Sequence, residues 1–514
     1  MPLALEITIS LLAIAVLWWS CPLKVKLRGL PPGPWPKPLI GNLLDISFHD
    51  PWATFEHWKA CFGNVVYVEI LGNKLVLLNS LQAVTDLFEK QGVIYSHRPE
   101  AIMVGELMGL DQSIGLSNND RSWKQQRRLV SIALGPKAFK QHAKTQADLA
   151  ARMILELHQN QADHREIINL AAARLIVQIT YGHFIKDMTD PYIIKADQVF
   201  DLISSSIRPG AYLVDSLPWC ECHIFGLFKP LKQAVKNIPK WIPGSPHRPA
   251  AKGKAMFEEF IGVPFEHVKL QMREGRAPPC LVSDLLERPT PVDNLDYKEL
   301  VKWAAGTMYG SGVDTTSATV NTFILAMLLH PSVQRKAQAE LDELLQGVRL
   351  PTVEDRDSLP YIGAVIKEVM RWHVILPMGF ARRADKDYIY DGHLIPKGSI
   401  LLPNIRSIAQ EGNYLGTFQP EQHLGKEGTV DPLSYAFGFG RRACPGRQLA
   451  ENSVFIFAAS ILAAYSINPA SEAPLVEPKF SLGLISHPEP FECKFTPRNP
   501  SIHTLVKAQL DGRL

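Results

Sequence analysis

No large imbalance of charge marks this chain: 54 Lys and Arg stand against 51 Asp and Glu, a net charge of +3, without a basic stripe. A nucleic-acid partner is therefore not expected. Charged residues are few in total, 20% against 46% hydrophobic, so a large core can be buried and disorder is not indicated. Close cysteine pairs are nearly absent. Cys21, Cys61, Cys220, Cys222, Cys280, Cys444 and Cys493 are scattered and odd in number, and the gap in Cys220-x-Cys222 is wrong for a usual zinc knuckle. That usage suits a reducing compartment. Length alone would allow three domains, but no repeat and no long polar linker divides the 514 residues. One large, mostly helical domain is expected.

What is present centres on Phe437-Gly438-Phe439-Gly440-Arg441-Arg442-Ala443-Cys444-Pro445-Gly446, which opens an apolar run of helical spacing from Arg447 to Tyr465. Thiolate is the metal-binding form of cysteine, and arginines plus a helix N-terminus favour it. Glycines let backbone approach a flat ligand, and Pro445 fits a first helical turn. A single thiolate on such a loop suits an axial ligand to haem iron, where it pushes electron density toward O–O cleavage. A buried structural cysteine beside a glycine turn is the other reading, and it leaves the arginines and glycines unexplained. The spacing Phe437-x-x-Gly440-x-Arg442-x-Cys444-x-Gly446 resembles the cysteine loop of the cytochrome P-450 family.

Earlier in the chain, Ile7 to Leu23 is an apolar run of 17 residues with Trp18 and Trp19 near its end and Lys24, Lys26 and Arg28 after it. The length is at the low end of a bilayer span, and the flanking charge predicts that the remainder stays cytosolic. A cleaved signal peptide is the alternative, but Glu6 and the Ser20-Cys21-Pro22 exit fit it poorly. Pro31-Pro32-Gly33-Pro34-Trp35-Pro36-Lys37-Pro38 cannot be helical and makes a semi-rigid spacer. Residues 1–23 are thus read as a signal anchor, 24–50 as a basic and proline-rich hinge, and 51–514 as the catalytic domain. Val65 to Leu71 and Lys74 to Asn79, separated by Gly72-Asn73, predict a hairpin. From Ile207 to Gly253 seven prolines and interleaved aromatics mark a broken loop, a second membrane contact or simply a packed loop.

Tyr297 to His330 is the strongest helix signal. Gly306, Gly310-Ser311-Gly312 and Asp314-Thr315-Thr316 interrupt it chemically, and mid-helix glycines and hydroxyls disagree with propensity. Such local violations often sit at functional sites, so a widened turn that opens a groove is expected there. Trp123 and Arg127 share one helical face, and each can donate to a carboxylate. Glu368 and Arg371 form an i,i+3 pair that in isolation reads as a weak surface contact.

The resemblance supplies more than these residues do alone. It implies a mainly α fold with a small β lobe, haem between the long central helix and the cysteine loop, and a single N-terminal membrane anchor. Cys444 would ligate the iron, and Phe437, Gly438 and Gly446 would shape the loop against haem. Trp123, Arg127, Arg382 and Arg442 would bind the propionates, with Arg382-Arg383 standing where many relatives carry His-Arg. Gly312-Val313-Asp314-Thr315-Thr316 matches the family's oxygen-side pattern, with Ser311 in place of alanine or glycine. Thr315 would hold water and direct protons to the oxygen site, with Asp314 behind it. Glu368 and Arg371 match E-x-x-R, a buried structural network; Gln422 replaces the arginine that normally completes it, so an amide must substitute. Ile395-Pro396-Lys397-Gly398 resembles the family's strand turn. Trp303, Met308, Tyr309, Leu376, Phe380 and Leu484 are candidate pocket residues by position, each also readable as plain core.

The function so implied is a haem-thiolate monooxygenase inserting one oxygen atom from O2 into a hydrophobic small molecule of terpenoid or aromatic/indole type. The cofactor would be haem b, with NADPH used indirectly through NADPH–cytochrome P-450 reductase and cytochrome b5 as a second possible donor. The overall texture is similar to fungal, basidiomycete microsomal members of specialised metabolism, single-pass in the endoplasmic reticulum membrane. The other readings are a haem-thiolate isomerase or dehydratase and a non-catalytic haem-binding membrane protein. Retained Asp314-Thr315 argues against the former.

Overall fold

The computed structural model describes residues 29–38, 40–47, 50–160, 163–207, 212, 245–288, 296–411, 417–425, 430–470 and 477–511, with the side chains of 136–141, 207 and 503 left aside. The expected anchor, residues 7–23, and most of the proline-broken loop before Gly253 lie outside the described residues.

Helices dominate. In chain order they include α1 (Pro51–Phe62), α2 (Arg121–Ala133), α3 (Pro136–Gln159), α4 (His164–Tyr181), α5 (Pro191–Ile207), α6 (His247–Arg273), α7 (Tyr297–Leu329), α8 (Pro331–Leu345), α9 (Pro360–Trp372) and α10 (Arg447–Ala464). Proline opens α1, α3, α8 and α9 in the first turn, where its missing N–H costs nothing and its fixed φ suits the helix. The Asp120 side chain accepts the Trp123 N–H to cap α2, and Asp296 caps α7 in the same way.

A small β lobe lies beside them. Strands β1 (Val65–Ile70) and β2 (Asn73–Leu78) pair antiparallel. Strands β3 (Arg382–Arg383), β4 (Tyr388–Tyr390), β5 (His393–Ile395) and β6 (Ile400–Pro403) follow, and the four-stranded sheet has the order β1-β2-β6-β3. β7 (Tyr465–Pro469) pairs with β8 (Cys493–Pro497). The first hairpin turns one residue earlier than the sequence reading placed it. Ile70 pairs with Asn73, and Leu71 and Gly72 take φ of 49° and 78°. This is the two-residue turn whose twist matches the strands, with leucine rather than asparagine accepting the left-handed conformation.

The helix α7 organises the core. It runs unbroken and α-helical from Tyr297 to Leu329, so the expected widened turn is absent. Its mid-helix glycines have a packing reason instead. A Cβ at Gly306 would lie 2.4 Å from Ile261 Cγ2 of α6, and one at Gly312 would lie 2.6 Å from Ile176 Cγ1 of α4. Glycine therefore lets three helices approach closely, and the helix forgoes about 1 kcal/mol of propensity at each site to do so. Among the described residues α7 is the one helix long and apolar enough to cross a membrane, but 72% of its most apolar window is buried. It is a core helix.

Candidate active site

The cysteine loop folds back on itself through backbone hydrogen bonds: Cys444 N–H donates to Phe437 O at 2.7 Å and Ala443 N–H to Gly440 O at 3.1 Å. Gly438 and Gly440 take φ of +71° and +50°, and a Cβ at Gly440 would sit 2.6 Å from the Phe88 carbonyl oxygen. Side chains are thus excluded for conformational reasons at one position and for both conformation and space at the other. The helix α10 begins at Arg447 with Gly446 as its N-cap. Pro445 precedes the cap rather than occupying the first turn, a correction to the sequence reading. Burial pushes the Cys444 thiol up; the Gly446 backbone N–H and the Arg127 guanidinium act against it.

Across from this loop a cavity is bounded by Thr315 and Thr319 of α7, Leu376 after α9, and Phe437 and Ala450. The Thr315 hydroxyl donates to Ser311 O at 3.0 Å and the Ser311 hydroxyl to Thr307 O at 2.8 Å. One face of α7 therefore carries a hydroxyl at each turn, and Thr315 Oγ1 keeps its lone pairs free to accept. Ser311, Val313, Asp314 and Thr315 are at least partly exposed, whereas Thr316 to Leu328 are buried. The groove arises from this exposed step in a continuous helix.

Beside the loop lies a cluster of four arginines. Arg442 donates to Ser96 O, Ile114 O and Ser117 O, Arg382 to Phe88 O, Tyr95 O and Phe439 O. Arg127 donates to Ala443 O. The fourth, Arg98, donates to Gly115 O and Ala381 O and was missed by sequence reasoning; no local spacing marks it. Burial, reinforced by repulsion between the guanidiniums, pushes Arg98 down to about 10 and Arg382 and Arg442 to about 9. Among the described residues none of the four forms an ion pair with a carboxylate within 4.0 Å. Glu89 and Asp120 offset only part of the charge on Arg382 and Arg442. Trp123 lies under Arg442, 4.2 Å from ring centroid to guanidinium carbon, and its buried indole N–H has no acceptor. Several buried cations and an orphaned donor in one place call for an anion.

The E-x-x-R pair is buried. Arg371 donates to both Glu368 oxygens at 2.8 Å. Gln422 donates its amide to Glu368, as the sequence reading required of it, and His423 Nε2 stands 3.0 Å from the same oxygen. The Gln419 N–H donates as well, at 2.7 Å. Sequence reasoning did not anticipate His423. Burial alone would raise the Glu368 carboxyl, but these donors hold it below its ordinary value.

The candidate pocket residues divide. Leu376 lines the cavity. Trp303, Met308 and Tyr309 belong to the packed core. Tyr309 stacks on Phe260 at 4.7 Å and donates its hydroxyl to Tyr192 O at 2.6 Å, so its assignment to the pocket is corrected: it faces the α5–α6 side of α7. Phe380 is 43% exposed beneath Arg98, and Leu484 is half-buried.

A buried cluster of guanidinium donors with an orphaned indole N–H, beside a loop that carries one cysteine and a cavity lined by hydroxyls of α7, suits a dianionic cofactor with a thiolate-bound metal. A family model described as cytochrome P-450 matches residues 31–495, and the chain belongs to that family. It is 35% identical to the cytochrome P-450 monooxygenase claR of Ampulloclitocybe clavipes, over 100% of this chain and 95% of that one. It is also 35% identical to cytochrome P-450 monooxygenase 208 of Postia placenta, over 99% of each, and 32% identical to the tryptamine 4-monooxygenase of Psilocybe cyanescens, over 96% and 98%. The chain is accordingly an oxidoreductase of the monooxygenase type. Membership implies haem, whose two propionates match the only partly compensated arginines and the orphaned Trp123 N–H, and whose iron matches a lone cysteine.

Proposed function

We propose that this chain is a membrane-anchored haem-thiolate monooxygenase of fungal secondary metabolism, anchored by residues 7–23 in the endoplasmic reticulum with its catalytic domain in the cytosol. Its substrate is a hydrophobic small molecule of terpenoid or aromatic/indole type, and its electrons come from NADPH through a reductase. The observation that carries this reading is a cavity shared by Thr315 and the cysteine-loop residue Phe437, beside an arginine cluster whose charge Glu89 and Asp120 offset only in part. The similarity to a tryptamine 4-monooxygenase supports the indole-type substrate class.

Haem, when bound, supplies O2 activation and the transfer of one oxygen atom. The chain does the rest. Cys444 would bind the iron through its sulfur, with Arg127 and the Gly446 N–H acting against the burial that favours the neutral thiol. Arg98, Arg127, Arg382 and Arg442, with the Trp123 N–H, would neutralise and orient the propionates. Phe437, Gly438 and Gly446 shape the thiolate loop. Thr315 Oγ1, its own proton committed to Ser311 O, accepts a hydrogen bond from a water and holds it at the oxygen side. Asp314 holds the next proton behind it. Leu376 and the apolar cavity wall exclude bulk water.

The test is turnover by membranes carrying the chain, NADPH and a reductase over a panel of indoles, polycyclic aromatics and terpenoids. The reading predicts O2-dependent hydroxylated product, labelled from 18O2. Product formed without O2 or NADPH would contradict it.

A further inference from the structure

Asp314 does not end the polar chain behind Thr315. Its carboxylate Oδ1 lies 3.0 Å from His487 Nε2, with the two side chains 32% and 18% exposed. His487 stands on a turn that leaves it little freedom. Phe480 bridges Pro488, the Ser481 N–H donates to His487 O at 2.8 Å, and the His487 N–H donates to Ser481 Oγ at 3.0 Å. The Ser486 N–H fastens the turn to Ile375 O at 2.8 Å, and Phe480 stacks on His373. An imidazole is thereby held between solvent and the carboxylate of Asp314, the residue before Thr315 in α7.

Other ionisable groups near this pair do not replace it. On α5, Asp197 is pushed up by burial and by the charges of Asp201 and Asp314, so it competes for protons rather than donating a cation. Burial pushes His373 down to about 3, with Arg406 and His487 adding to the effect, so it is neutral in ordinary buffers. Lys479 and Glu489 lie on the same hairpin as His487 and are held against each other by backbone, the Glu489 N–H donating to Lys479 O.

We propose that His487 is the positioning residue of the oxygen-side proton path, holding Asp314 and passing it protons drawn from solvent. In the step, the Nε2–H bond of the imidazolium breaks and an O–H bond forms on Asp314. The carboxylic acid then releases the proton toward the water held by Thr315, and the imidazole regains one from solvent. Nothing is oxidised or reduced. Histidine suits this duty because its charge changes within the physiological range. The inference rests on the reading of Asp314 and Thr315 given above.

Two measurements on full-length enzyme with its reductase test it. The first is product per NADPH for wild type, His487→Gln, His487→Lys and Asp314→Asn. His487→Gln should lose about threefold or more, since a general acid has been removed. His487→Lys, which keeps a cationic N–H donor, should restore coupling. The second needs no turnover: diethylpyrocarbonate labelling of His487, read by peptide mass mapping, is expected to be faster in Asp314→Ala because the carboxylate no longer occupies Nε2. Wild-type coupling in His487→Gln, with Asp314→Asn defective, would overturn the proposal and leave the Asp314 relay standing. Unchanged coupling in both variants would overturn the relay itself. Labelling indifferent to Asp314 would remove the contact on which the proposal stands.

Discussion

At the scale of single residues, charge and hydrogen-bond satisfaction identify the site more sharply than shape does. The Trp123 indole N–H is buried without an acceptor while its ring is already packed under Arg442. Trp123→Phe keeps the packing and removes the donor, so it is expected to cost about 1 kcal/mol of haem affinity, roughly fivefold in haem loss. Haem transfer to apomyoglobin measures this; an unchanged rate would detach Trp123 from the propionates. Thr315→Ala removes the acceptor that holds water at the oxygen side, and product per NADPH should fall about tenfold while NADPH consumption continues. Product and peroxide assayed together make the comparison, and equal coupling in the two proteins would count against the role given to Thr315.

At the scale of elements, the close crossing of α7 with α4 and α6 sets where the oxygen-side groove can lie. Gly312→Ala places a methyl carbon within 2.6 Å of Ile176, and overpacking of this kind costs about 1–3 kcal/mol. A lowered melting temperature is expected, with substantial recovery in Gly312→Ala/Ile176→Ala. Failure of the second substitution to restore stability would mean that the glycine serves another purpose. The α9 network makes a different demand. Glu368→Ala leaves the Arg371 guanidinium, whose side chain is 9% exposed, without its carboxylate, at a cost of about 3 kcal/mol or more. Gln422 and His423 bring an amide and an imidazole to the carboxylate where the family's arginine would stand.

At the scale of the whole molecule, acid is the expected weakness. Burial pushes His164 down to about 4 and His373 to about 3. Their unfolded forms bind protons near 6.5, so the stability they contribute is present above that pH and lost as pH falls toward the depressed values. Glu368, held below 4.5, adds a further loss once pH falls through its own depressed value. Melting temperature against pH should therefore decline below about 6.5, and His373→Phe should flatten that decline. The same scale separates what was legible in the chain from what was not. The cysteine loop and the long α7 are local patterns that spacing exposed, whereas the Glu368–Arg371 pair by itself reads as a weak surface contact and takes its buried role from the family resemblance. Arg98, His423 and His487 act through partners distant in sequence, and no window of residues brings them together. Gly306 and Gly312 were visible but misread, because a glycine needed for close helix packing and one needed for an open turn look alike in sequence. Tyr309 was misplaced for a related reason: the face of a helix hydrophobic on nearly all sides is fixed only by its neighbours.

The central claim is that Cys444 binds haem iron as thiolate, and the most direct measurement is the reduced, carbon-monoxide-bound difference spectrum of membranes carrying the wild-type chain and Cys444→Ser. The account predicts the red-shifted Soret band of thiolate ligation in the wild type and its loss in the variant. The same red-shifted band in Cys444→Ser, or none in a wild-type chain that holds haem, would contradict it.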